Sequence, residues 1–101
     1  MNAASAGGTV LKALVVDDES LARARMRTLL SDCASPAVLC VGEAANAVQA
    51  MTALQHQPVD VALIDIHMPG ADGLALARSL QALAQPPALI FVTAHAEHAV
   101  D

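Results

Sequence analysis

The sequence contains no tryptophan, no tyrosine and a single phenylalanine, Phe91. Its apolar residues, 55 % of the total, are therefore mostly Ala, Leu and Val, which suit close helix-on-sheet packing more than a β-sandwich. Basic residues are scarce as well. Five Lys and Arg face ten Asp and Glu, and a net charge of −5 argues against nucleic-acid binding by this chain. The two cysteines, Cys33 and Cys40, have neither CxxC nor zinc spacing, and read as core-lining thiols in a reducing compartment. No uncharged apolar run reaches membrane length without proline: residues 79–96 come closest and contain Pro86 and Pro87. Residues 1–9, MNAASAGGT, lack the basic start and apolar stretch of a signal peptide and read as a disordered lead-in. What is left is one cytoplasmic domain, residues 10–101, long enough for a single core.

Four apolar runs of strand length alternate with helical patterns. The first strand, Leu11 to Val16, ends at the acidic pair Asp17-Asp18. Ser20 to Cys33 is helical, with Ala22, Met26, Leu29, Leu30 and Cys33 on one stripe and Asp18 or Ser20 as cap. Val38 to Val41 forms a short second strand closed by Gly42. A second helix spans Ala47 to Gln55, with Val48, Met51 and Leu54 or Gln55 facing inward. Val59 to Ile66 is the third strand. Leu74 to Ala84 is the third helix, through Leu76, Ala77, Leu80, Leu83 and Ala84, and Ala88 to Thr93 is the fourth strand. Strands alternating with short helices imply β-α-β units, hence a doubly wound parallel α/β sheet with right-handed crossovers.

In such a sheet all strand ends lie along one edge, where open α/β folds place their ligands. That edge collects Asp17, Asp18, Glu43, Asp65 and Thr93. The third strand reads VALID inside the stretch VALIDIHMPGADG, and a bare carboxylate in so apolar a run costs several kcal/mol unless it has a partner. Like charges this close repel unless a cation neutralises them, and a hard divalent ion such as Mg²⁺ suits an all-oxygen site. Asp65 is thus expected to be a nucleophile or ligand at a Mg²⁺ site. The competing reading is helix capping. It fits Asp18 and Asp72, but a loop of seven residues, 67–73, separates the strand of Asp65 from the next helix.

LKALVVDDE, LIDIHMPGADG and FVTA, in this order and spacing, resemble the receiver domain of bacterial two-component response regulators. The resemblance covers residues 11–101. It implies the flavodoxin-like, CheY-like strand order 2-1-3-4(-5) and an aspartyl-phosphate switch. Asp65 matches the phosphoacceptor. Asp18, Asp65 and the backbone carbonyl of His67 match the direct Mg²⁺ ligands, and Asp17 acts through water. Thr93 matches the switch hydroxyl; Pro69, Gly70 and Gly73 shape the loop. The partner implied is a sensor histidine kinase. LARARMRTLL and FVTAHAEHAVD also resemble receivers whose parent proteins carry a LytTR-type DNA-binding output domain, although relatives often have Tyr where His95 and His98 stand.

The lysine that receivers carry at the end of a fifth strand has no counterpart, since Lys12 is the only lysine. Residues 10–101 therefore read as an incomplete receiver without its fifth strand and helix. Two expectations follow: impaired switching, and self-association through an open fourth strand. Turnover of substrates is not expected beyond self-directed phosphoryl transfer and autodephosphorylation. Two alternatives stay open. One is a phosphorylation-independent dimerisation module. The other is a Mg²⁺-dependent phosphatase with an Asp nucleophile, which usually needs a second Asp where His67 stands. Arg23, Arg25 and Arg27 read as a solvated helix face, or less readily as a kinase-docking surface. His95 and His98 lack a third metal ligand, and His56 suits a helix end.

Overall fold

A computed structural model describes residues 9–68 and 73–92. The apolar runs form β1 (Val10–Val16), β2 (Ala37–Ala44), β3 (Val61–Asp65) and β4 (Ala88–Val92), and the amphipathic segments form α1 (Ser20–Ser31), α2 (Ala47–His56) and α3 (Gly73–Gln81). All strand pairings are parallel, as expected from the β-α alternation, and the order is β2-β1-β3-β4, as the receiver resemblance implies. Pro69, Gly70, Asp72, Thr93, His95 and His98 lie outside the described residues, as do residues 1–8 of the expected lead-in.

Each face of the sheet has its own apolar layer. Leu14, Val16, Ala62 and Ile64 point to one side, where Ala50 of α2 and Leu76 and Leu80 of α3 meet them. Ala13, Val15, Val61 and Leu63 point to the other, against Leu30 and Met26 of α1. Complete burial of Leu14 or Ile64 is worth about 1.5–3 kcal/mol each. Among the described residues α1 is the one helix on its face, and a groove beside it is lined by Val15, Ala22, Met26, Leu29, Leu63 and Val92.

Several sequence expectations are corrected here. The second strand does not close at Gly42. A bulge in the β1–β2 register opposes Ala13 to Cys40 and Leu14 to Gly42, so Val41 is the extra residue and pairing resumes to Ala44. A Cβ on Gly42 would stand 3.3 Å from Leu14 Cδ1. β3 starts at Val61 because Asp60 serves as a bridge: it donates to the Lys12 carbonyl, and its side chain accepts from the Lys12 N–H.

On α2, Met51 and Leu54 face inward as expected, but Val48 does not. Ala50 is buried, with Ala47, Met51 and Leu54 packed on the core, while Val48 is 76 % exposed. Small residues at 47 and 50 let the helix lie close to the sheet. On α1, Leu29 is exposed because it borders the open groove, and Cys33 is exposed because the helix ends at Ser31. Cys40 does border the core. Neither Asp18 nor Ser20 caps α1: Glu19 is the N-cap and makes no side-chain cap bond. Asn46 caps α2 through the Gln49 N–H.

Gly73 opens α3 where the helix backs onto the end of β3. A Cβ there would lie 2.7 Å from the Asp65 carbonyl oxygen and 2.9 Å from Ile66 Cα, both backbone atoms that cannot rotate away. Gly73→Ala should therefore destabilise by about 1–3 kcal/mol through overpacking, despite the roughly 1 kcal/mol by which Ala is the better helix former. Urea unfolding measures it; a more stable variant would mean that this approach can relax.

Candidate functional site

β1 and β3 are neighbours, with Val16 opposite Ile64, so the next residues, Asp17 and Asp65, stand side by side at the carboxyl edge. Asp18 follows Asp17 in the turn to α1. One carboxylate oxygen from each of the three falls within 4.8 Å of the others, the only such cluster of potential metal ligands among the described residues. Asp17 and Asp65 are buried, at 6 % and 3 % exposure, whereas Asp18 is exposed. The expected convergence of the three acids is present.

The two buried carboxylates are held alike. Oδ1 of Asp17 accepts from the Glu19 N–H at 2.9 Å, and Oδ1 of Asp65 accepts from the His67 N–H at 3.0 Å. A carboxylate has about four lone-pair sites, so one amide leaves each with room for a cation. Burial pushes the Asp17 carboxyl above its ordinary value of 3.8, opposed by the Glu19 amide and reinforced by the charges of Asp65, Asp18 and Glu19. Hard oxygen donors, mutual repulsion and partial exposure together fit an oxygen-coordinated divalent ion.

Glu43 does not join the cluster. It lies within β2, and its two oxygens are taken by Arg23 Nε and Arg27 Nε, each at 3.0 Å. Arg25 and Arg27 are exposed, as a solvated helix face requires, but Arg23 departs from that reading. The Arg23 side chain is only 19 % exposed, and its Nη1 donates to the Asp17 carbonyl at 2.8 Å. The sequence reading grouped Arg23 with Arg25 and Arg27 and did not link it to the site; the signal was its place in the first turn of the helix that follows the acidic pair. Met68, inside the HMPG stretch, is buried in the core three residues after Asp65. His67 contributes the amide that holds Asp65. His56 does sit in the last turn of α2, with Nδ1 2.8 Å from the Thr52 carbonyl. Burial pushes the Cys40 thiol up, which keeps it from being a reactive thiolate.

The response regulator receiver domain model matches residues 13–101. The positive alginate biosynthesis regulatory protein of Pseudomonas aeruginosa is 42 % identical over 91 residues, covering 90 % of this chain and 36 % of that protein. The transcriptional regulatory protein LytR of Staphylococcus aureus is 34 % identical over 90 residues, covering 89 % and 36 %. The response regulatory domain of MrkE from Klebsiella pneumoniae superposes with a TM-score of 0.72 at 33 % identity, over 89 % of this chain and 72 % of that one. The chain spans little more than a third of the length of these two curated relatives.

The raised Asp17 carboxyl gives a pH test of the metal-free protein. In the folded state Asp17 binds its proton more tightly than in the unfolded chain, so its contribution to stability is complete below pH 3.8 and is lost as pH rises through the higher folded value. Asp17→Asn keeps an oxygen for the Glu19 amide and removes the charge. Without divalent ions the variant should match the wild type at pH 3 and exceed it in urea midpoint at pH 7. A wild type that is the more stable at pH 7 would contradict this.

Proposed function

The chain belongs to the response regulator receiver domain family of two-component signalling, and from that premise we propose that Asp65 is the acceptor of a phosphoryl group from a sensor histidine kinase. The observation that supports this most directly is the packing of Asp17, Asp18 and Asp65 within 4.8 Å at the carboxyl edge of the sheet. Asp65 terminates a fully buried strand and is held by a backbone amide at one oxygen. A carboxylate fixed in this way loses little freedom on reaching an attack geometry.

In the transfer, an Asp65 oxygen attacks phosphorus in line, the P–O bond forms, and the P–N bond to the donor imidazole breaks. The imidazole nitrogen leaves with the bonding electron pair and takes up a proton. Bound Mg²⁺ supplies charge neutralisation for the phosphoryl oxygens and the acids. Asp18 and Asp65 would hold it with the His67 carbonyl, and Asp17 would hold it through water. Thr93 is the proposed switch hydroxyl and Pro69 and Gly70 the proposed loop-shaping residues. The activity is regulatory: a stoichiometric modification of this chain and its hydrolysis. A cytoplasmic location fits, and no helix among the described residues is long and apolar enough to cross a membrane.

An output domain that binds DNA is proposed for the whole protein, on its likeness to transcriptional regulators such as LytR. Self-association is proposed as well, on the observation that Ile90 and Phe91 of β4 are 48 % and 45 % exposed.

Acetyl phosphate with Mg²⁺ should add one phosphoryl group to the wild type in intact-mass measurements and none to Asp65→Asn. Modification of Asp65→Asn to the same extent would overturn the assignment. At Mg²⁺ a hundredfold above the wild-type dissociation constant, the wild type should gain about 2.7 kcal/mol of stability, and Asp18→Asn, binding at least tenfold more weakly, no more than about 1.4 kcal/mol. Light scattering should show a mass that rises with concentration, and a constant monomer would remove the self-association reading.

A further inference from the structure

We propose that Arg23 is a positioning residue for the acidic site, holding the turn after β1 in the form that binds a divalent cation. The proposal rests on the metal reading above. Arg23 is fixed from two directions: Nε donates to Glu43 Oε1 at 3.0 Å and Nη1 donates to the Asp17 carbonyl at 2.8 Å. Glu43 is in turn held on its other oxygen by Arg27, 3.0 Å away. Arg23 also sits on α1 one turn from Glu19, its N–H donating to the Glu19 carbonyl.

The Asp17 backbone is consequently tied on both sides. Its N–H donates to Ala44 of β2 at 3.0 Å, and its carbonyl accepts from Arg23. The first bond fixes the peptide before Asp17, and the second fixes the peptide between Asp17 and Asp18 through its carbonyl. Both carboxylates take their direction from that peptide. The guanidinium reaches a carbonyl of the site and no carboxylate of the cluster among the described contacts, so it orients the acids without neutralising them. A planar fork is suited to two fixed acceptors, and an ammonium on a flexible stem is not.

Charge and geometry make opposite forecasts, which gives the test its sign. A cation beside the site repels a dication, so on charge alone Arg23→Ala would tighten Mg²⁺ binding. If Arg23 orients the turn, the same change weakens it, as loss of an outer-shell partner typically does by 10–100-fold.

The experiment titrates Mg²⁺ into the full chain by calorimetry, with amide hydrogen exchange of the metal-free protein alongside. Arg23→Ala should bind Mg²⁺ about tenfold more weakly, and its Glu19 amide, which donates to Asp17, should exchange faster. Arg23→Lys keeps the charge and carries the test if Arg23→Ala does not fold; it should bind several-fold more weakly than wild type. Unchanged or tighter binding in the folded variants, with wild-type binding intact, overturns the role of Arg23 alone. Wild-type protein that binds no Mg²⁺ overturns the metal reading and the proposal with it.

Discussion

Three carboxylates held within 4.8 Å, two of them out of water, repel one another, and the fold has to hold them there. Among the described ion pairs, none offsets the charge of Asp17, Asp18 or Asp65; both involve Glu43. The opposing force is the parallel sheet. With β1 central and β3 beside it, the register that buries Val16 against Ile64 also delivers Asp17 next to Asp65. Separating the acids would mean slipping that register, and a slip of one residue would turn Leu14 and Val16 to the opposite face. Apolar burial therefore stores the electrostatic strain that a cation can release.

The two edges of the sheet divide the work. At the amino edge, Asp60 bonds Lys12 through both its backbone and its side chain, and its carbonyl accepts from Ala88, so one acid joins β1, β3 and β4. At the carboxyl edge, Asp17 and Asp65 are buried beside the exposed Asp18, and their amide partners come from their own turns. The same residue type thus acts as a clasp at one end and is the proposed binding group at the other. The difference lies in whether its oxygens are consumed by the chain.

Much of this was legible in the sequence because burial on both faces writes a strand as a continuous apolar run. A lone Asp in VALID stands out against that background. Parallel topology put the acids on one edge, and the strand order that makes β1 and β3 neighbours came from the resemblance to receiver domains. Features decided by sub-residue geometry were not legible. The bulge at Val41 extends β2 past Gly42, and the choice of Ala50 over Val48 as the inward residue of α2 depends on how near the helix can lie to the sheet. Glu43 looked like a member of the site because it sits at a strand end, but two arginines one helical turn apart claim both of its oxygens. Spacing told where it lay, and not which neighbour it would face.

The main chain around Asp65 is clamped more tightly than ligand binding alone requires. Its side chain is held by the His67 amide, Met68 anchors the following residues in the core, and Gly73 presses α3 onto the Asp65 carbonyl. A phosphoryl group at Asp65 would add about −1.5 to −2 charges beside these contacts. With the core close-packed and Gly73 leaving no space behind the carbonyl, that added charge has little room to be absorbed locally. Its field reaches the turn before α1 on one side and the start of α3 on the other. If Asp65 is phosphorylated as proposed, a main chain fixed on these sides would pass the force of the added charge to the two adjoining helices, which is the physical requirement for a signal to leave the site.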